Sequence, residues 1–278
     1  MTRRIDAHQH FWRLSRCDYG WLTPELGLIH RDFGQEDLAP LLARHGIGAT
    51  ILVQAAPSVE ETRFLLELAE RAPFVAGVVG WVALDGPEAA RQIDTLAAEP
   101  LLVGLRPMLH DLPDDDWVLR PGLHGALEAM QRHRLVFDAL VRPRHLSRLL
   151  ALADRYPDLS IVIDHAAKPD IRAGWCPRWA ADMEAMAWRP QVSCKLSGLL
   201  TEAGEGADTG ALRPWVEHLA ASFGPHRLMW GSDWPVLLMA GTYDGWFGMS
   251  ETLLDPAARE AVFGGTADRI YLSHRGRR

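Results

Sequence analysis

Cysteine is scarce: three in 278 residues, an odd number, and Cys17, Cys176 and Cys194 form no Cys-x-x-Cys pair. That excludes a disulfide framework and gives no sign of a thiolate metal site, so the three are read as reduced bystanders. Positive charge is also in short supply, with 29 Lys and Arg against 36 Asp and Glu and a formal charge of −7. Nucleic acid and anionic membrane surfaces would find no basic patch to bind, so the expected partner is a small molecule. The basic tail His274 to Arg278 is read as a solvated end. The apolar stretch of roughly 7–15 residues that marks a signal peptide is missing, and no window approaches a membrane span, so a cytoplasmic protein is expected. Also lacking are a Gly-x-Gly-x-x-Gly motif after a strand, a linker rich in Pro, Gly or Ser, and a repeat of fixed period.

What is present is a regular alternation. With 48% hydrophobic residues, the chain can bury a substantial core. Short apolar runs at Arg4–Trp12, Ala49–Gln54, Phe74–Trp81, Leu101–Arg106, Leu135–Arg142, Leu159–His165, Val192–Ser197 and Arg227–Asp233 predict eight strands. Between them, helical spacing is found at Gln35–His45, from the capping box Ser58–Glu61 to before Pro73, and at Gly86–Ala98, Asp114–His133, Pro143–Arg155, Arg178–Trp188 and Leu212–Phe223. Arg13–Phe33 has neither period and predicts a long loop after strand one. Continuous apolar strands joined by helices imply a parallel sheet covered on its outside. Eight of them in a chain of this length favour an α/β fold, one (β/α)8 barrel domain over residues 1–278, above a doubly wound sheet.

Active sites of such barrels are built at the C-terminal strand ends. The polar residues there are His8 and His10, Gln54, Arg106 followed by His110, His165 followed by Lys168, Lys195 and Asp233. In an extended strand, the i, i+2 spacing of His8 and His10 sends both imidazoles from one face; Asp6 shares that parity, and is expected either beneath them or capping local backbone.

Ile5-Asp6-Ala7-His8-Gln9-His10-Phe11-Trp12, Asp164-His165-Ala166-Ala167-Lys168-Pro169, Cys194-Lys195-Leu196-Ser197-Gly198 and Gly231-Ser232-Asp233-Trp234-Pro235 together resemble the amidohydrolase superfamily. Within it they resemble the branch of L-fuconolactone and L-rhamnonolactone hydrolases and 2-pyrone-4,6-dicarboxylate lactonase. The resemblance spans nearly the whole chain and implies a lactone-opening hydrolase. It makes Asp233 the general base toward water, with a pKa expected to be raised by desolvation. It sets His165, Arg106 and Lys195 toward the substrate's oxygens, and has His8 and His10 either hold a metal or polarise the substrate.

Metal-dependent members of the superfamily also use a histidine on strand five, and none is present between Leu135 and Arg142, so a two-metal site is not expected. His8, His10, His165 and Asp233 suffice for one divalent ion such as zinc, while a lactone is electrophilic enough to be opened without one. Simpler readings stand beside these roles. Lys195 also fits a snorkelling lysine; Gln54 and His110, expected to bind substrate, also fit loop-supporting hydrogen-bonders; Arg106 also fits a structural partner of Asp111; Arg142 and Lys168 receive no role. Trp12, Trp21, Trp175, Trp234 and Trp246 fall in expected loops, where they either pack on a sugar ring, Trp12 first among them, or cap the barrel. With Arg106 the one arginine placed at the strand ends, where a planar dicarboxylate would call for several, a neutral sugar-acid lactone leads over an aromatic-derived dicarboxylate acted on by a hydrolase or decarboxylase, and over a non-catalytic sugar-acid-binding barrel. A homo-oligomer is compatible with the sequence.

Overall fold

The computed structural model describes residues 3–273; the basic tail His274–Arg278 lies outside them. Eight strands form one parallel sheet in sequence order: β1 (Arg4–Gln9), β2 (Ile47–Val53), β3 (Val75–Gly80), β4 (Leu102–Leu105), β5 (Val136–Ala139), β6 (Ile161–Ile163), β7 (Val192–Leu196) and β8 (Leu228–Trp230). The barrel closes between the chain after β8 and β1, through Asp233 N–H to His8 O at 2.8 Å and His10 N–H to Trp234 O at 2.8 Å. The expected (β/α)8 architecture is present.

Crossovers are made by α1 (Gln35–Arg44), α2 (Val59–Arg71), α3 (Ala89–Leu96), α4 (His124–His133), α5 (Leu146–Arg155), α6 (Pro177–Ala187), α7 (Leu199–Ala203) and α8 (Thr209–Phe223), with α9 (Tyr243–Leu253) after β8. Ser58 caps α2 by accepting from Glu61 N–H. The helix expected from Asp114 begins only at His124, because Pro121 interrupts it and the preceding residues form short 3-10 turns. Trp246, expected in a loop, lies in α9 and is buried.

Apolar residues divide into two layers. Ile5, Ala7, Ile51, Val53, Val79, Val103, Val136, Val162 and Met229 fill the barrel interior together with Ala267 and Tyr271 near the C-terminus. Larger residues such as Leu52, Phe137, Trp179, Trp230 and Phe247 pack strands against helices.

Strands six and eight end earlier than their apolar runs suggest, and the reason lies in the backbone. His165, Ala166, Ala167, Lys168 and Asp233 all have φ between 50° and 62°, the left-handed region that a non-glycine residue enters at a cost. The chain leaves the ladder before its polar residues arrive and turns them across the barrel mouth. Gly198 (φ 65°) makes room for this turn, since a Cβ there would sit 2.7 Å from His165 Nδ1.

Candidate active site

Alternation along β1 breaks between Ala7 and His8, where its register against β2 shifts between Asp6 and Gln9. Asp6 consequently does not lie beneath the histidines. Its Oδ1 accepts the backbone N–H groups of His8 (3.1 Å) and Ser232 (2.9 Å), and its Oδ2 accepts the hydroxyl of Tyr243 on α9 (3.0 Å). Asp6 therefore ties β1 to the turn after β8; burial pushes its carboxyl up to about 6.

His8 and His10 point inward past this bulge. His10 Nδ1 lies 2.8 Å from the Val53 carbonyl, an oxygen that can only accept, so Nδ1 carries a proton and Nε2 is turned to the cluster. That Nε2 is 3.2 Å from His8 Nε2 and 3.3 Å from Asp233 Oδ1. Asp233 Oδ1 is also 3.7 Å from His8 Nε2 and 3.9 Å from His165 Nε2. His165 turns its Nδ1 to Ser197 Oγ at 2.9 Å. One carboxylate thus meets three imidazole nitrogens, all nearly buried.

Burial lowers the pKa of His8 and of His165 well below the ordinary histidine value, so both rings are neutral. The raised pKa expected for Asp233 is not found. Burial alone would raise it, but His165, His10 and Lys168 outweigh burial and hold the carboxyl below its ordinary value. Asp233 is ionised throughout the neutral range.

Beneath this cluster lies a second one that the strand-end pattern missed. Lys195 on β7 is fully buried, with its ammonium 2.5 Å from Asp138 Oδ2, 3.0 Å from Asp164 Oδ1 and 3.3 Å from His8 Nδ1. The Tyr271 hydroxyl reaches both oxygens of Asp138, at 2.8 and 2.9 Å. The ammonium is therefore spent inside the barrel and does not turn to the mouth as expected. Asp164 also faces His8 Nδ1 (3.4 Å) and Arg106 Nη1 (3.4 Å). A histidine backed by a carboxylate on one nitrogen, with the other turned to His10 and Asp233, has the form of a metal-ligating imidazole with its supporting acid.

Arg106 is anchored by Gln54. Its Nη2 donates to Gln54 O and, at 2.9 Å, to Gln54 Oε1, while Gln54 Nε2 donates back to Arg106 O at 3.1 Å. Its Nη1 reaches His8 Nε2 at 3.3 Å, so Arg106 belongs to the cluster and does not pair with Asp111. Asp111 instead meets His110 Nε2 at 3.2 Å. Burial, then Arg106, Lys168 and Arg142, push the His110 imidazole down to about 3. Lys168 is paired with Glu202, and Arg142 is half-buried with no side-chain partner among the described residues. Trp12 is fully buried, its indole N–H donating to Arg31 O at 2.7 Å and its ring 6.4 Å from that of His10.

The donor set fits one divalent ion. Ligand atoms of His8, His10 and Asp233 all lie within 4.8 Å of one another, as do those of His8, Asp164 and His165. The 3.2 and 3.3 Å separations around His10 Nε2 match the edge of a tetrahedron with zinc–ligand bonds of about 2.0–2.1 Å. The four residues expected as ligands are thus gathered, although His165 falls in a separate group of three from His10 and Asp233.

Residues 5–272 match the amidohydrolase family. The chain belongs to that family. It is 51% identical to an L-fucono-1,5-lactonase of Burkholderia ambifaria over 98% of this chain and 96% of that one. It is 37% identical to an L-fucono-1,5-lactonase of Burkholderia multivorans, over 96% and 95% of the two chains. An amidohydrolase of Burkholderia multivorans crystallised with bound zinc superposes with a TM-score of 0.90, at 38% identity, covering 97% of this chain and 99% of that one. No helix among the described residues is long and apolar enough to cross a membrane.

Proposed function

We propose that this amidohydrolase opens the ester ring of a sugar-acid lactone, of the L-fucono-1,5-lactone type, acting in the cytoplasm as one barrel domain over residues 1–278. The observation that carries the reading is the ionised Asp233 carboxylate set 3.3, 3.7 and 3.9 Å from three imidazole nitrogens at the barrel mouth. The names of the two Burkholderia relatives support the substrate class.

In this reading Asp233 takes a proton from water as its oxygen bonds to the lactone carbonyl carbon. The ring C–O bond then breaks, its oxygen takes up a proton to become a hydroxyl, and the new carboxyl ionises and releases a proton. Arg106, a nearly buried cation 3.3 Å from His8, stabilises the negative charge that develops on the carbonyl oxygen. His165 and His10 hold Asp233 in place, and Gln54 holds Arg106. A divalent ion, when bound, would be held by His8, His10 and Asp233 with His165 beside them, and would polarise the carbonyl and acidify water.

Proton release from a panel of aldonolactones and from 2-pyrone-4,6-dicarboxylate, before and after chelation, tests the reading. Turnover is expected with L-fucono-1,5-lactone or another neutral five- or six-membered sugar lactone. Turnover of the dianion alone, or of none of them, would sink it.

A further inference from the structure

A cavity of about 490 Å³ opens among the chain segments that follow β1, β2, β3 and β4, within the size range of small-molecule sites. Trp21, Trp81 and Trp117 line it, as do Asp18, Asp85 and Asp111. His8, His10, His165 and Asp233 do not. Its position follows from the aromatic packing, because Trp21 stands edge-on to Trp12 at 5.5 Å and Trp12 lies 6.4 Å from His10. The cavity begins one indole beyond the catalytic cluster, and Pro107 on its wall directly follows Arg106.

Two of the indole N–H groups are already used, Trp21 on Ala55 O and Trp117 on Asp85 Oδ2, so these tryptophans have aromatic surface rather than donors to offer. The carboxylates are half used in the same way. Asp18 Oδ2 meets Arg16, Asp85 Oδ2 meets Arg120 and the Trp117 indole, and Asp111 Oδ2 meets His110, while Asp18 Oδ1 is buried with no partner. Each acid is thus engaged through one oxygen and keeps the other as an acceptor. An anion would be repelled, and a cation gains little from carboxylates that Arg16 and Arg120 already face. Aromatic faces with spare acceptors suit a neutral ring that carries hydroxyls.

We infer that this cavity is a second sugar subsite, which holds a neutral glycosyl ring attached to the ring that reacts at Asp233. The substrate class then includes lactones of disaccharide aldonic acids. The inference rests on the sugar-lactone reading for its reacting ring, but the cavity can be tested without turnover.

Calorimetric titration with lactitol and with sorbitol, neutral alcohols that differ by one galactosyl ring, measures the subsite alone. Lactitol is expected to bind at least about tenfold more tightly, from stacking and charge-assisted hydrogen bonds together. Trp81→Ala and Asp18→Ala are each expected to reduce that advantage to about twofold or less, with thermal melts identifying which variants are folded. Equal binding of the two alcohols by the wild-type protein, or an advantage that survives in a folded variant, would overturn the subsite. L-Fucono-1,5-lactone turnover without a lactitol preference removes the cavity and leaves the lactonase. A preference without turnover does the reverse.

Discussion

The barrel holds two buried polar clusters a few ångströms apart, and they differ in what they leave unspent. At the mouth, three imidazoles, of which His8 and His165 are neutral, surround the single carboxylate of Asp233. Below, Lys195 joins Asp138 and Asp164, and Tyr271 closes the other side of Asp138. The first set has acceptors left for a proton, an ion or a substrate. The second has its opposite charges paired with one another, which makes it part of the frame. His8 links the two, with Nδ1 turned to Lys195 and Asp164 and Nε2 turned to the mouth.

Ionisation divides the lower cluster itself: burial pushes the Asp138 carboxyl up to about 6, although Lys195 opposes it. Burial opposes the charge on Asp164, yet Lys195, His8 and Arg106 outweigh it and hold that carboxyl well below its ordinary range. Glu61 is the instructive contrast. It accepts the backbone N–H groups of Ala55 and Ala56 at 2.6–3.0 Å, but no cation among the described residues bonds to it, and burial pushes it up to about 7.

The distinction can be broken by substitution. The largest expected effect is on activity at the mouth: His10→Ala should lower kcat/KM by about 10²-fold or more, since a positioned imidazole and its hold on Asp233 both go. Lactone hydrolysis measured with the melting temperature checks this, and loss of structure without loss of rate per folded molecule would place His10 in the frame. In the lower cluster, Lys195→Met should cost about 3–5 kcal/mol in urea unfolding, because two buried carboxylates lose their cation. A cost under about 1 kcal/mol would show that Lys195 is not structural.

Glu61 sharpens the contrast through pH. Its folded value of about 7 exceeds the ordinary 4.5, so between those values the folded state binds more protons than the unfolded one. Its contribution to stability is therefore present below about pH 4.5 and is lost as pH rises through 7, by up to about 3 kcal/mol. Unfolding midpoints at pH 5 and pH 8 should differ less in Glu61→Gln than in wild type; an unchanged difference would count against the shift. The smallest effect is expected from Tyr271→Phe, about 1–2 kcal/mol for the lost hydrogen bonds to Asp138, with lactone kinetics close to wild type.

The barrel was readable because buried parallel strands are continuous apolar runs, a pattern that survives in one sequence. Polar residues at those run ends located His8, His10, His165 and Asp233 for the same reason. Asp138 and Tyr271 were not readable as partners of Lys195, since they lie 57 and 76 positions away and only closure of the barrel joins them. The parity of Asp6 failed at a bulge that no residue type announces, and its other expected role, capping local backbone, is the one found at the His8 amide. The pKa of Asp233 failed because burial was foreseen and the imidazoles countering it were not weighed. Glu61 was visible as the end of a capping box, but its second use, receiving the Ala55 and Ala56 amides, depends on how β2 meets α2.

The most direct test of a working cluster at the mouth is Asp233→Asn, with lactone turnover and thermal unfolding measured on one preparation. The account predicts a rate lowered by about 10²–10⁴ and a melting temperature close to wild type. A rate within twofold of wild type in a folded variant would contradict it.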